Sequence, residues 1–329
     1  MAITNKEQGV WGLDEVYNKQ NEGDIWVYNA TDPMSLYSFG YNNQGTLGLN
    51  NTTGVPGYTQ LPGVWLAVGY GGEASSSAIK NTGALFSWGN GSYGTLAQNN
   101  ETNYSSPKQV GTDTNWKQSA AVRESMGATK TNGELWMWGK NPHGQLAVNT
   151  SGNNAQRSSP VQVPGTTWDR LYGSMGLHYM AKKTDGSLWV WGRQYSGSLG
   201  QNEPGNVHLS SPTQVGTDTD WGTVAPGSHN SFGLKTDGTL WGWGQNNYGQ
   251  LGLNTDGTPN SRSSPTQIGT ETTWSDLVAG QYMAAGIKTD GTLWTWGQAN
   301  GNILGLNQPE SDHRSSPTQV GTDTTWRTI

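Results

Sequence analysis

The sequence predicts an all-β protein, a six-bladed β-propeller of four-stranded blades, on three observations. One short motif returns six times in 329 residues, at intervals of 49 to 53: LYSFG from Leu36, LFSWG from Leu85, LWMWG from Leu135, LWVWG from Leu188, LWGWG from Leu240 and LWTWG from Leu293. In the last three copies a Lys-Thr-Asp-Gly turn leads into the motif. A polar loop follows each copy, and a tryptophan opens the next unit. Repeats of about 50 residues that hold several short strands each are the sequence form of propeller blades.

Each piece of the unit reads as β structure. The six leading tryptophans are Trp65, Trp116, Trp168, Trp221, Trp274 and Trp326, each followed by a short stretch such as Trp274-Ser-Asp-Leu-Val-Ala-Gly280. A strand of small residues comes next, as in Met283–Lys288. The Asp-Gly turn then closes a hairpin, because glycine accepts the positive φ such turns require. In LWxWG the two aromatics stand at i and i+2 and share one face, while the leucine and the variable residue take the other. Apolar residues on both faces imply a strand held between neighbouring sheets. The prolines of Ser-Ser-Pro (Pro107, Pro160, Pro212, Pro265 and Pro317) cannot donate to a ladder, which suits an outer edge strand. Recurrent Gly and Pro and the shortness of the runs argue against helices.

The ends carry an expectation about closure. After Trp326 only Arg327, Thr328 and Ile329 remain, whereas residues 25–35 carry what a unit needs before its LWxWG-type strand. Residues 25–329 are therefore expected to form one propeller, closed inside one blade by a C-terminal strand together with N-terminal strands. Residues 1–24 are expected to be an arm. Trp11, Leu13, Val16 and Tyr17 would make one sticky face there, either packed on the chain's own domain or docked on another protein.

Composition narrows the function classes. Charged residues are 13% of the chain, the net charge is −6, and the lysines and arginines are scattered, so no basic run marks a nucleic-acid footprint. The 17 tryptophans and 13 tyrosines supply surface to bury, which sets the chain apart from disordered sequences. Cysteine is absent, which excludes thiol nucleophiles and zinc ribbons. No apolar run is long enough to span a bilayer and no secretory leader is visible, so the expectation is a protein made in the cytoplasm with no membrane insertion.

The pattern W-x-x-[LV]-x-x-G … K-T-D-G-x-L-W-x-W-G-x-N-x-x-G-Q-L-G … S-P-x-Q-V resembles the regulator-of-chromosome-condensation repeat over residues 25–329. That resemblance implies a β-propeller but no single activity: the family includes an exchange factor bound to chromatin, large ubiquitin ligases and a bacterial inhibitor of β-lactamases. The arm from Gly9 to Trp26, GVWGLDEVYNKQNEGDIW, is similar to short segments of bacteriophage tail-fibre and other virion proteins. It implies a non-enzymatic virion component, a capsid decoration, fibre or tail-associated propeller made in the host cytoplasm. The arm would bind other virion proteins and the loops would meet a host-surface glycan or protein. The alternative is a soluble cytoplasmic interaction module of the propeller-inhibitor type.

No catalytic constellation, cofactor motif or metal site is expected. The histidines (His143, His178, His208, His229 and His313) show no metal-ligand spacing, and Asn254–Thr258 lacks most ligands of a calcium loop. Asp185, Asp237 and Asp290 in the hairpin turns, and Asp113, Asp218 and Asp323 in Gly-Thr-Asp-Thr loops, read as turn formers. Binding is expected instead at the loop tips, where the frame is constant and one position varies: Gln44, Tyr93, His143, Ser196 and Tyr248, with Gly301 in the last copy. Exposed aromatics there would stack on sugars or grip a protein.

Overall fold

The Thr-Asp-Gly turns at Thr184, Thr236 and Thr289 close hairpins, and the strands assemble into five antiparallel sheets. The computed structural model describes residues 34–69, 74–173, 176–203, 205–256, 260–309 and 312–329. The first sheet comprises β1 (Met34–Gly40), β2 (Val55–Val68), β3 (Ser75–Lys80), β4 (Leu85–Gly89) and β5 (Tyr104–Gln109). The second holds β6 (Trp116–Val122), β7 (Ser125–Lys130), β8 (Leu135–Gly139) and β9 (Arg157–Val163). The third holds β10 (Trp168–Tyr172), β11 (His178–Lys183), β12 (Leu188–Gly192) and β13 (Leu209–Gln214). The fourth holds β14 (Trp221–Pro226), β15 (Asn230–Lys235), β16 (Leu240–Gly244) and β17 (Arg262–Gln267). The fifth holds β18 (Trp274–Ala279), β19 (Met283–Lys288), β20 (Leu293–Gly297) and β21 (Arg314–Gln319). Strands follow chain order within each sheet, so all pairings are local. The Ser-Ser-Pro strands are the outer edges, as proline requires.

The propeller has five blades among the described residues, not six. The LYSFG copy does not build its own blade. Its strand, β1, pairs with β2, which runs unbroken past Leu61 to Trp65 and so fuses two repeats into one sheet. The cause lies in the connection. Only Pro62, Gly63 and Val64 separate Leu61 from Trp65, whereas Gly111–Asn115 separate Val110 from Trp116 and Gly269–Thr273 separate Ile268 from Trp274. The longer connections make the Gly-Thr-Asp-Thr or Gly-Thr-Glu-Thr bend that turns the chain into a new blade. The short one leaves the strand continuous, with a register shift between Trp65 and Ala67.

The expected closing strand is also absent. Trp326–Ile329 forms no strand, and Trp326 is 40% exposed, against 1–4% for the five preceding leading tryptophans. Its backbone N–H still donates to Gly291 O at 3.2 Å, as Trp116 does to Gly83 and Trp274 to Gly238. Thr328 and Ile329 donate to the Asp276 carboxylate. Of the N-terminal strands expected to complete that blade, Trp26–Thr31 lies outside the described residues, and the LYSFG strand, β1, pairs with β2 in the first sheet instead.

The core sits between blades. Met180, Leu188, Val190, Leu199, Val215, Trp221, Val224 and Trp243 fill the space between the third and fourth, and equivalent clusters fill the others. Within a blade the leading tryptophan packs edge-on against the strand motif, as Trp221 does on Trp241 and Trp243 with centroids 6.4 and 6.0 Å apart. The second motif tryptophan reaches back to the loop of the preceding repeat, which belongs to the preceding blade for Trp138, Trp191 and Trp243 and to the same first sheet for Trp88. Trp88, Trp138, Trp191 and Trp243 donate their indole N–H to Thr46, Thr95, Gln145 and Ser198 carbonyls at 2.8–3.0 Å. The first donates locally, as Trp241 does to Thr239 Oγ1, which itself donates to Asp237. That hydroxyl bond is the main cause that lowers the Asp237 pKa.

The lysine ahead of each turn packs over two rings. Lys235 Nζ lies 5.3 and 5.0 Å from the Trp221 and Trp241 centroids, and Lys130 and Lys288 repeat the arrangement. Their charge is met by an acid from the inter-blade bend: Asp218 for Lys235 at 2.7 Å, Asp113 for Lys130 at 2.8 Å and Glu271 for Lys288 at 2.6 Å. Asp113 and Asp218, read from sequence as turn formers, are thus also ion-pair partners.

The turn glycines are sterically required. Gly238 has φ +82, and a Cβ there would meet Thr272 O at 2.1 Å. Gly238→Ala is expected to lose about 1–2 kcal/mol from the left-handed backbone alone, and more because the Thr272 backbone must shift. Gly216→Ala, at φ +59 with open space around it, should lose only the first part. Denaturant unfolding of the two variants checks the difference.

Candidate interaction face

The loops that follow β4, β8, β12 and β16 emerge at one end of their blades, beside the turns that join each leading strand to the next. An internal amide holds the loops after β8, β12 and β16. Asn141 Oδ1 accepts from Leu146 N–H, and its Nδ2 donates to Thr150 O; Asn246 does the same with Leu251 and Thr255, and Gln194 with Leu199 and Glu203. With the loop base fixed, the variable residue is carried in a defined direction.

That direction is sideways, toward the next blade. Tyr93, His143, Ser196 and Tyr248 are half-buried rather than protruding, and Gln44 is half-buried as well. Lys140 Nζ of the second blade lies 4.0 Å from the Tyr93 ring centroid. His143 meets His208 edge-on at 4.5 Å. Tyr248 meets Tyr282 at 5.3 Å and His313 at 5.2 Å. No ring contact involves Ser196; its neighbour Tyr195 instead packs on His229 at 4.4 Å. The expected row of separate tips is therefore a set of pairs bridging blades. The arm residues Trp11, Leu13, Val16 and Tyr17 lie outside the described residues.

Two cavities open on this face. One, of about 420 Å³, is lined by Arg123, Gly176, Leu177, Arg193, Tyr195, Ser228, His229 and Gln281. The other, of about 260 Å³, is lined by Gln44, Ala74, Ser75, Asn90, Ser92, Thr95, Arg123 and Glu124. Arg123, on the turn between β6 and β7 at φ +34, borders both. Sequence reasoning missed Arg123, Arg193, Tyr195 and His229. The available signal was RQYSG (Arg193–Gly197), the loop that departs from the N-x-x-G frame of its neighbours.

The electrostatics are those of a basic, hydrogen-bonding surface. Burial lowers the pKa of His143, His208 and His229, and the Arg193 charge lowers all three further, so each is neutral at neutral pH. His208 accepts from Gln194 N–H through Nδ1, and His313 accepts from Ala299 N–H in the same way, which leaves Nε2 to carry the hydrogen. Glu124 is held by Lys140 at 2.5 Å. Among the described residues no group of three metal-ligating side chains occurs, and no helix is long and apolar enough to cross a membrane.

His178 is different: it is buried between the third and fourth blades. Its Nε2 lies 2.9 Å from Ser231 Oγ, whose own hydrogen goes to Ser198 O, so Nε2 carries a hydrogen and donates to Ser231. Burial lowers its pKa to about 4, and His229 adds to this. One blade earlier the same register places Ser125 against the Tyr179 hydroxyl. One blade later the residue at the register position of Ser231 is Ala284, which carries no polar side-chain atom, and both ends of the Asn230 amide are unpartnered.

Known proteins can now be compared with this geometry. The regulator of chromosome condensation (RCC1) repeat matches residues 82–122, 132–168 and 237–287, and a second form of that repeat matches 223–250. The chain is 27% identical over 301 residues to the mitochondrial RCC1 domain-containing protein RUG3 of Arabidopsis thaliana, covering 87% of this chain and 64% of that one. It is 24% identical to the Arabidopsis ultraviolet-B receptor UVR8, over 70% of this chain and 53% of the receptor. It is 25% identical to a segment of the human E3 ubiquitin-protein ligase HERC2, covering 90% of this chain and 6% of the ligase. The chain thus spans less than two thirds of each of these relatives. Among solved structures, yeast RCC1 (Prp20) bound to Kap60 superposes with TM-score 0.73 at 17% identity, covering 88% of this chain and 72% of that one. Human WBSCR16 superposes with TM-score 0.70 at 20% identity, covering 88% and 82%. These likenesses are of fold. The chain contains regulator of chromosome condensation repeats at those positions, and these matches and relatives support a likeness to the RCC1 β-propeller family.

Proposed function

We propose that this chain is a non-enzymatic protein-interaction propeller that binds its partner on the face bearing Tyr93, His143, Arg193, Tyr195, His229 and Tyr248. The observation that carries this is the gathering of aromatic and basic side chains from successive blades on one face of a protein whose net charge is −6. Rigid rings at an interface supply contact area at low entropic cost, and arginine adds directional hydrogen bonds. RCC1-type propellers bind proteins, as the Kap60 complex and a Prp20p structure reported with its binding to Gsp1p and histones indicate for yeast. The histidines of this face, held neutral, suit a contact surface.

A narrower proposal is a bacteriophage virion component, located in the particle, with residues 1–24 as the docking arm. Its support is the sequence of Gly9–Trp26 alone. One experiment addresses both readings. The full chain, a His229→Ala/Tyr248→Ala variant and a chain lacking residues 1–20 are offered as baits for cross-linking in their native host. The interaction reading expects one defined partner whose cross-links map to this face and are lost in the double variant. The virion reading expects a particle protein lost only with the arm. A partner retained by the double variant contradicts the first reading, and particle incorporation without the arm contradicts the second.

A further inference from the structure

We propose that the two cavities meeting at Arg123 form one continuous groove that receives an extended segment of a partner protein, with an acidic side chain seated against Arg193. The inference rests on the protein-interaction reading and says what kind of partner segment the face takes.

The geometry supports each part. Arg123 borders both cavities, so together they run across the face from Gln44 and Ser75 at one end to His229 and Gln281 at the other. A length of chain fits such a run better than a single compact ligand. Each cavity also carries polar atoms that nothing satisfies. Ser75 is 4% exposed, and its Oγ, on the wall of the smaller cavity, has no hydrogen-bond partner; Gln44 Oε1 on the same wall has none either. In the larger cavity His229 Nδ1 is buried with no partner at ordinary hydrogen-bond geometry, beside the Gln245 amide, whose Oε1 is also unpartnered. Buried polar groups in folded proteins are nearly always paired, so unpaired ones lining an open groove mark where an occupant's polar backbone or side chains belong.

The charge chooses the occupant. Among the described residues no carboxylate lies within ion-pair distance of Arg193. The titratable groups it influences are His143, His208 and His229, which are neutral at neutral pH and so do not offset its charge. Its guanidinium packs beside the Tyr195 ring at 5.5 Å, which keeps the planar fork presented to the cavity it lines. A carboxylate is the complementary group, held by paired N–H donors. At the other end Glu124 is already committed to Lys140, so that end offers hydrogen bonds from Ser75 and Gln44 rather than charge.

The test uses the full chain and a fluorescein-labelled oligoglutamate peptide, read by anisotropy, with an oligolysine peptide and inorganic phosphate as competitors. Wild type is expected to bind the oligoglutamate peptide, with affinity falling as salt rises. Arg193→Gln should weaken it by about tenfold or more, as loss of a charge-assisted pair does, and Arg193→Glu should abolish it. Gln44→Trp, which fills the smaller cavity, should weaken it as well, because the groove is continuous. Lys117→Ala, at an ion pair with Asp169 away from the groove, should leave it unchanged. Thermal unfolding of each variant verifies that the propeller is intact.

Equal binding by Arg193→Glu, or binding of oligolysine as tight as oligoglutamate, overturns the proposal. Displacement by phosphate at concentrations equal to the peptide shows a small-anion site and overturns it too. If a cross-linked partner on this face survives Arg193→Glu, the groove is wrong while the interaction reading stands. If no partner maps to this face, that reading itself has failed.

Discussion

Trp243→Ala is expected to cost about 3–5 kcal/mol of stability, the range for removing a large buried aromatic. Trp243 is fully buried between the third and fourth blades, packs on Trp221 and donates to Ser198 O. Alanine would leave a cavity lined by Met180, Val190, Leu199 and Val224 and would remove the indole tie between blades. Trp296 provides an internal comparison. It occupies the same motif position in the fifth blade and is equally buried, yet its indole N–H has no partner. Trp→Phe at 243 should therefore cost about 1 kcal/mol more than at 296, the net value of one hydrogen bond. Urea unfolding of the three variants, read by tryptophan fluorescence, tests both differences. Equal costs for the two phenylalanine variants would show that packing alone holds these blades together.

Acid should destabilise the protein through His178. Its folded pKa, near 4, lies below the unfolded value of 6.5. The unfolded chain therefore binds the proton first as pH falls. The contribution to stability is fully present above 6.5, declines through the window and is lost near 4. A shift of this size corresponds to about 3 kcal/mol between neutral pH and about pH 4. The lowered values of His143, His208 and His229 act with the same sign. His178→Gln keeps an N–H donor for Ser231 but does not titrate. Its stability should therefore fall by about 3 kcal/mol less than wild type over that range. Chemical denaturation at several pH values measures this. Parallel curves for the two proteins would mean that His178 takes its proton while folded, or that the blades part locally to admit it.

Much of the fold was legible because it depends on local chemistry. The Asp-Gly hairpins, the doubly buried motif strand and the proline-bearing edge strand follow from φ preference, side-chain alternation and the missing proline N–H. The blade count was legible in principle and was misread. Six motif copies suggested six blades, but a blade also needs a connection long enough to turn the chain, and Pro62–Val64 is too short to leave β2. The spacing between Leu61 and Trp65 carried that information.

The proposed interaction face was legible only as positions. Variation at Gln44, Tyr93, His143, Ser196 and Tyr248 marked loops of that face, but which residue meets which depends on how adjacent blades are rotated. That rotation turns His143 onto His208 and Tyr248 onto Tyr282, and brings Arg193 near three histidines that are 15 to 50 residues away in sequence. The same holds for Asp113 and Asp218. Their turn-forming role is local, whereas their pairing with Lys130 and Lys235 arises because the bend of one repeat folds back over the hairpin of the next.

The sequence by itself therefore determined the unit: a hairpin and motif strand whose tryptophans have to be buried against something. Only the tertiary structure decided what that something is. It made His178 an acid-sensitive joint, because the next blade offers Ser231 at its register, and left the Asn230 amide unpartnered, with Ala284 at the same register position in the blade after. KTDGTLWTWG is the same local chemistry wherever it recurs, and contacts between blades depend on two repeats at once.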